Sequence, residues 1–467
     1  MNEPDPYLTY RVPFRRWFAR HRRVAELVLA AGAGLTWHGF CHADCNTQID
    51  PYYLTVDVPA MIHITNATQV ASVRNAMVSY LWQANGWPAT NMPAGVTTVA
   101  TPGWVTRLGS TNLGSVDRLD IAMDYEMHSI VFHIHAAESA NRLLLYHYGH
   151  DGGIGVGEPG WQETMRQSLD AGHDVMVFWM PLLGENSTVA RNVPGYGFAD
   201  VPLPNHDRMG AVLENDRGSF IRFFVEPVVV AINYAKARYS YRDINMVGIS
   251  GGGWTSHLCA ALDLRIEYSF PVAGSLPLYL RAGPCPNGSE GDSEQVWGPL
   301  FEEIASWLDI YILGAAGAGR QQIQILNQFD PCCFSGIGYQ TYEPPVTNTV
   351  ASLGQGLYHV FLDSSHNVHQ ISPDALNSVI LPQLANKPLP PTPQFKIKLL
   401  SGSPPYTLGF DSAPGWIYRM QFRDSFTTGM WQSLHGIAFT SVLFGAASLV
   451  DTNPSVQRFY RISAERQ

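Results

Sequence analysis

A serine flanked by glycines is the residue of this chain best placed to do chemistry. Ser250 stands at the centre of a Gly-x-Ser-x-Gly motif formed with Gly248 and Gly252. The apolar run Asn245–Ile249 precedes it, and a helix-like pattern, Thr255–Leu262, follows it. A sharp turn from a strand into a helix needs small flanking residues, and it projects the serine hydroxyl above a sheet. The motif therefore predicts that Ser250 is a nucleophile.

A serine hydroxyl is a weak nucleophile until a base takes its proton and an acid orients that base. Asp330 comes directly after an apolar run, and His366 follows the next such run by a few residues. Each lies where a parallel strand ends, at the edge where open α/β sheets place their sites. We expect Asp330 to be the acid and His366 the base. His369 is the alternative base; Asp363 is the alternative acid, but its position in the histidine loop favours a role in stabilising that loop.

Attack on a carbonyl also needs donors for the negative charge that develops on the carbonyl oxygen. The backbone N–H of Gly251, directly after the nucleophile, is the expected first donor. The second is expected from the glycine-rich loop Tyr146–Gly153, which follows another strand-like run. Within that loop we expect the N–H of His150 to donate, with Asp151 as the second choice.

The histidines and cysteines show no metal-binding spacing. No HExxH or paired-ligand pattern joins His147, His150, His359, His366 and His369, and the six cysteines form no pair of CxxC units. We therefore expect no catalytic metal and no cofactor.

The cysteines are instead expected to have structural roles. Cys259 lies in a predicted buried helix, where a free cysteine acts as a small apolar residue. If the chain is exported, Cys285 is expected to pair with Cys332 or Cys333, and the sequence does not choose between the two.

Apolar runs alternate with helix-like stretches over residues 115–385, which is typical of a mostly parallel sheet with helices on both faces. The predicted strands, nearly continuous in apolar residues as doubly buried strands are, are Ser129–His135, Arg142–Tyr148, Asp174–Met180, Asn245–Ile249, Tyr268–Val272, Gln324–Gln328 and Tyr358–Leu362. The predicted helices are Val70–Gln83, Trp161–Asp170, Phe220–Ala237, Thr255–Leu262, Glu294–Ile312 and Pro373–Ala385. An alternating run, Asp117–Asp124, is expected to form a hairpin with the first strand at the sheet edge.

Residues 183–219 are polar and rich in Gly, Pro and Asn. A loop of that length is usually functional or disordered. Because it follows the carboxyl end of a predicted strand, we expect it to contribute to a lid over the site.

The first 43 residues differ from the rest of the chain. Six arginines between residues 11 and 23 precede an apolar stretch, Val24–Leu35, in which only Glu26 is charged. Residues 1–43 are therefore predicted to be an export signal, and the protein secreted or periplasmic. The alternative is a basic N-terminal segment that packs on the protein as an amphipathic helix. The apolar stretch is too short for a stable membrane span.

A second change in composition follows Lys387. Prolines make residues 388–394 a stiff linker, and residues 395–467 alternate like the strands of a small all-β domain. Residues 44–387 are then the catalytic domain. Aromatic residues of the tail favour packing on that domain, and a separate targeting module is the alternative.

Composition excludes some partners. Apolar residues make up 46% and charged residues 15% of the chain, which is typical of a globular protein. The net charge is −10 and no basic stripe crosses the body of the chain, so nucleic acid is not an expected partner.

With these residues in place, the chain resembles the α/β-hydrolase superfamily over about residues 115–385. The run Ser-Gly-Gly-Gly-Trp-Thr from Ser250 is similar to secreted bacterial members described as esterases or acyl-peptidases. The resemblance implies a central sheet, a Ser-Asp-His triad and hydrolysis of an acyl bond. The loop at His150 departs from the lipase-type His-Gly-Gly pattern, which leaves the second oxyanion donor open.

Three functions remain in competition. The first is hydrolysis of a carboxylic ester, either a small molecule or an acyl group on a polymer. The second is a serine peptidase of the prolyl-oligopeptidase kind, although the segment before residue 115 is short for the propeller that such peptidases carry. The third is a non-catalytic binding protein on the same fold, since a fold alone does not choose a function.

Overall fold

The computed structural model describes residues 45–466 except 198, 282–290, 387–396, 402–403, 413–415, 426–429, 435–438, 441–444 and 455–457. Its strands are β1 Gly95–Val99, β2 Leu113–Ala122, β3 His128–Ala136, β4 Arg142–His147, β5 His173–Phe178, β6 Val189–Ala190, β7 Val201–Pro202, β8 Asp243–Ile249, β9 Tyr268–Val272, β10 Gln321–Asn327, β11 Leu357–Asp363, β12 Lys398–Leu399, β13 Tyr406–Ser412, β14 Trp416–Arg423, β15 Gln432–Ser433, β16 Phe439–Thr440, β17 Gly445–Asp451 and β18 Phe459–Arg466. Its α-helices are α1 Ala67–Trp82, α2 Gly103–Thr106, α3 Trp161–Asp170, α4 His206–Leu213, α5 Arg222–Arg238, α6 Gly251–Leu262, α7 Leu278–Arg281, α8 Gly298–Phe301, α9 Trp307–Ala315, α10 Glu343–Ser352 and α11 Leu381–Asn386.

Nine strands form the central sheet, in the order β1-β2-β3-β5-β4-β8-β9-β10-β11. From β5 to β11 all neighbours run parallel, whereas β1, β2, β3 and β5 pair antiparallel. Parallel neighbours need crossovers, and helices supply them. The predicted mostly parallel sheet with helices is confirmed.

The central strands are apolar on both faces because each face meets a helix layer. In β8, Ile244 and Met246 belong to one apolar core, and Val247 and Ile249 belong to the other. Successive side chains of a strand point to opposite faces, so one continuous apolar run serves both layers. Every residue of β8 is buried as a result.

Two details of the expected elements are wrong. The β2–β3 hairpin forms, but it is not the edge of the sheet. The edge strand is β1, which pairs with β2 and was not predicted from the sequence. The single helix expected over 294–312 is broken into a 3-10 turn, Ser293–Val296, followed by α8 and α9. A capping box at Ser306 and Asp309 begins α9, which explains the break.

The described part of the tail forms small antiparallel sheets, β12-β13-β17 and β15-β14-β16, with β18 paired to β14. Its buried apolar residues, Leu408, Phe410, Tyr418, Met420 and Ala447, form a cluster of their own. These sheets are consistent with an additional β domain.

The predicted export segment 1–43 and the linker 388–394 lie outside the described residues, as does Cys285. Among the residues that are described, none of the helices combines the length and apolarity that crossing a bilayer requires.

Candidate active site

Ser250 lies at the turn between β8 and α6, with φ 58° and ψ −126°. A positive φ at a residue other than glycine is strained, and such strain persists only where surrounding structure holds it. The turn closes because its neighbours lack side chains: a Cβ on Gly252 would lie 2.2 Å from the His147 carbonyl oxygen, and one on Gly248 would lie 2.3 Å from the Gly252 carbonyl oxygen. This is the geometry of a nucleophile elbow.

The elbow also places the first backbone N–H groups of α6 beside the serine. The first N–H groups of a helix have no partner within the helix, and the helix dipole favours negative charge there. Gly251 is the first residue of α6, so its N–H is in the position expected of an oxyanion donor.

Asp330, three residues after the end of β10, has hydrogen bonds on both carboxylate oxygens. Its Oδ2 lies 2.7 Å from His369 Nδ1, and its Oδ1 accepts the backbone N–H groups of Cys332 at 2.8 Å and Cys333 at 3.2 Å. Burial opposes ionisation of this carboxyl, but the hydrogen bonds, above all the one with His369, hold the pKa of Asp330 below its usual range. The group is therefore an anion that orients an imidazole.

The expected pairing of Asp330 with His366 is wrong. His366 Nε2 lies 3.2 Å from Asp363 Oδ2, and its Nδ1 accepts the backbone N–H of Val368. Asp363 also accepts hydrogen bonds from the hydroxyls of Ser365 and Ser372, so it stabilises the loop as expected. These local bonds retain His366 within its own loop.

His369 has the contact with an acid that a base needs. Its Nδ1 is bonded to Asp330, and its Nε2 is buried without a hydrogen-bond partner among the described residues. The Asp330 carboxylate accepts the Nδ1 proton, which leaves the Nε2 lone pair to receive a proton from a hydroxyl. The alternative base of the sequence analysis is thus the histidine that the fold joins to Asp330.

The loop after β4 packs directly on the elbow. A Cβ on Gly149 would lie 2.6 Å from the Ser250 Cβ, and one on Gly251 would lie 2.6 Å from His150 Cε1. The N–H of Asp151 points to Glu158 Oε1 at 3.4 Å, whereas the N–H of His150 has no acceptor among the described residues. Of the two expected donors in this loop, His150 is therefore the better placed.

Glu158 is a residue of this site that the sequence analysis missed. It is buried, and its two oxygens accept the N–H groups of Gly149 and Asp151, both at 3.4 Å. Burial raises the pKa of Glu158, and the backbone hydrogen bonds and the nearby His369 partly offset the rise. No motif marks this residue, because its contacts come from how the loop folds.

His150 lines a cavity of about 480 Å³. The segment between β5 and α5 supplies most of its wall, including Leu182, Val189 and Leu203. Part of that segment is ordered as the β6–β7 ribbon and α4, rather than as one long loop. The segment lies beside His150, and its contribution to a lid stays a prediction.

Three side chains from separate segments meet at this cavity. His150 Nε2 lies 2.8 Å from Glu294 Oε1, and His206 Nδ1 lies 3.2 Å from the same oxygen. Burial opposes ionisation of Glu294, but the two histidines hold its pKa at about 2. Of these three residues, only His150 was expected from the sequence to belong to a site.

The cysteines pair differently from the expectation. Cys332 and Cys333 form a disulfide with each other, with Cα atoms 3.7 Å apart, so neither is available to Cys285. Cys259 is buried within α6 and free, as expected.

Comparisons with known proteins add a structural likeness only. No protein-family model and no curated protein sequence matches the chain. The chain is similar to solved acetyl xylan esterases from Paenibacillus sp. R4 (14% identity, 69% of this chain and 96% of that chain, TM-score 0.40) and from Thermoanaerobacterium sp. JW/SL YS485 (15%, 68% and 93%, TM-score 0.42). It is also similar to the acylaminoacyl peptidase of Pyrococcus horikoshii (11% identity, 61% and 43%, TM-score 0.39).

All three TM-scores are below 0.5, so the fold is identified from the strand order and site geometry of the chain itself. Six neighbouring strands of the sheet run parallel, and the three strands beside them pair antiparallel. Ser250, which has a positive φ, joins β8 to α6. Asp330 and His369, which are hydrogen-bonded to each other, follow β10 and β11. A mostly parallel sheet with its site at the carboxyl ends of the strands and a nucleophile elbow at its centre is diagnostic. The chain has the α/β-hydrolase fold.

Proposed function

We propose that the protein is a serine hydrolase that cleaves carboxylic esters through an acyl-enzyme on Ser250. The observation that carries the proposal is the hydrogen bond that His369 Nδ1 donates to Asp330, together with the buried Nε2 of His369, which has no partner among the described residues. An imidazole with one nitrogen anchored on a carboxylate and the other unpaired is the arrangement of a general base.

The proposed reaction has two halves. Ser250 Oγ attacks the ester carbonyl carbon while His369 Nε2 takes the hydroxyl proton. The N–H groups of Gly251 and His150 stabilise the oxyanion, and His369 then returns the proton to the departing alcohol. Water attacks the acyl-enzyme in the same way, with His369 again taking and returning a proton, and the carboxylic acid is released.

The substrate is proposed to be a small or polymer-bound acyl ester. The cavity beside His150 is lined by apolar side chains such as Leu182 and Leu203 and also by Asp207 and Asp292, so its lining leaves the acyl group of the substrate open. No cofactor enters the proposed steps.

Labelling and substrate choice test the proposal. An organophosphonate is expected to label Ser250 in the wild type, and Ser250→Ala is expected to abolish both labelling and ester turnover. Acyl esters of increasing chain length are compared with aminoacyl amides. Faster turnover of the amides would favour the peptidase, and no turnover with no labelling would favour the binding protein.

We propose export from the basic and apolar composition of residues 1–43. Residues 1–43 fused to a reporter enzyme that is active only after export are expected to give active reporter. Retention of the fusion inside the cell would contradict the proposal.

A further inference from the structure

The cluster beside the cavity brings together His150 from the loop after β4, His206 from the start of α4, and Glu294 from the 3-10 turn Ser293–Val296. One donor atom from each, His150 Nε2, His206 Nδ1 and a Glu294 carboxylate oxygen, lies within 4.8 Å of the other two. Asp292 adds a second carboxylate, with Oδ2 3.2 Å from His150 Nε2. Segments far apart in sequence thus converge on one point.

The hydrogen bond at Nε2 of His206 determines whether its Nδ1 carries a hydrogen or a lone pair. His206 Nε2 lies 2.9 Å from the carbonyl oxygen of Pro181, which only accepts, so Nε2 carries a hydrogen. In a neutral imidazole the lone pair is then on Nδ1, which faces Glu294 Oε1 at 3.2 Å. Two acceptors face each other at this distance only when a cation, either a proton or a metal ion, lies with them.

The second oxygen of Glu294 favours the metal ion. Glu294 is completely buried, and its Oε2 has no hydrogen-bond partner among the described residues. A proton shared between His206 and Oε1 leaves that oxygen unsatisfied, and a buried unpaired carboxylate oxygen is costly. A metal ion bound by both oxygens of the carboxylate would satisfy the whole group.

We propose that His150, His206 and Glu294 bind one divalent metal ion of the zinc class, with Asp292 or water as a further ligand. Two imidazoles and one carboxylate with an open position are a zinc ligand set. The hydrogen bond from His206 to a backbone carbonyl is the second contact that metal-bound histidines usually have. Asp292 is 60% exposed at its side chain and lines the cavity with both histidines, which provides a path for the ion to enter.

A bound metal ion would also restrain the loop after β4, which carries His150 and packs on Ser250. Binding through His150 would tie that loop to α4 and to the Glu294 turn, and so hold the His150 N–H in place. This consequence rests on the proposed function, but the metal site does not, because metal content is measured without any substrate.

The test uses the full-length protein, stripped with a chelator, dialysed against zinc or cobalt, and analysed for metal by mass spectrometry. We expect about one equivalent per chain, a visible absorption spectrum with Co²⁺, and a higher unfolding temperature with Zn²⁺. His206→Ala and Glu294→Gln are expected to abolish all three responses. His359→Ala, which removes a half-exposed histidine paired with Glu343, is the matched control and is expected to keep them.

A variant at an exposed residue separates loss of metal binding from loss of folding. Asp292→Asn alters an exposed side chain and is expected to weaken zinc affinity about tenfold while the apo protein unfolds at the wild-type temperature. Absence of bound metal and of any cobalt spectrum in the wild type would overturn the proposal. Full metal binding by His206→Ala would also overturn it, and would direct attention to the cluster of Asp117, His133 and His135.

Discussion

At the scale of single residues, the choice between two histidines three positions apart decides the mechanism. His369→Ala is expected to lower kcat by about 10⁴-fold, because it removes the imidazole bonded to Asp330. His366→Ala is the matched control, with an expected loss of less than about tenfold, because its bonds stay within its own loop. Steady-state kinetics on an activated ester make the comparison, and the reverse order of losses would return the role to His366.

Glu158 provides a second test at this scale. Glu158→Leu removes the acceptor for the N–H groups of Gly149 and Asp151, and so loosens the loop that carries the His150 N–H. We expect kcat to fall by about tenfold or more with a smaller change in KM, because oxyanion stabilisation acts on the transition state. Glu158→Gln keeps one acceptor oxygen and is expected to recover part of the loss. Equal kcat in wild type and Glu158→Leu would show that the carboxylate does not position the loop.

At the scale of elements, the turn between β8 and α6 depends on residues without side chains. Gly252→Ala would place a Cβ 2.2 Å from the His147 carbonyl oxygen at the end of β4, where backbone cannot give way easily. We expect a loss of about 3 kcal/mol in the free energy of unfolding, or failure to fold. Gly153→Ala is the control, because nothing lies within 4 Å of the added Cβ. Denaturant unfolding compares them, and equal midpoints would contradict the packing argument.

At the scale of the whole molecule, buried histidines link stability to pH. Burial lowers the pKa from 6.5 to about 3 in His133 and His257 and to about 4 in His147 and His173. As the pH falls from 6.5 towards 4, the unfolded chain takes up protons on these side chains and the folded chain does not, so the free energy of unfolding falls. Each contributes a slope of about 1.4 kcal/mol per pH unit in that window.

Denaturant unfolding at pH 7, 6 and 5 measures this slope. His257→Gln removes one of the four titrating groups, so its stability is expected to fall less steeply with acid than that of the wild type. An equal change in the free energy of unfolding between pH 7 and pH 5 in the wild type and in His257→Gln would contradict the argument.

The tail allows a further prediction at this scale. Because Leu408, Phe410 and Tyr418 pack in a cluster made only of tail residues, a chain ending at Lys387 is expected to fold and to turn over a small soluble ester. Soluble expression, circular dichroism and kinetics of the shortened chain test this. Aggregation would instead support the packing of tail aromatics on the catalytic domain that the sequence favoured.

The sequence by itself determined the features that local pattern encodes. A strand buried on both faces is mostly apolar, as is β8 apart from Asp243 and Asn245, and the turn that follows needs glycines at set positions around Ser250. Because parallel strands end at the same edge of the sheet, Asp330 and the loop that carries His366 and His369 lie at that edge whatever conformation the loops adopt. These features were predicted because each depends on one strand and the turn or loop that directly follows it.

Only the tertiary structure decided which loop residues meet. His366 and His369 share one loop, and in the folded chain His366 pairs with Asp363 while His369 reaches Asp330. The contacts of Glu158 with the His150 loop and of Glu294 with His206 likewise join segments that no periodicity relates. Irregular loops lack a repeating pattern, so their side-chain partners depend on long-range packing.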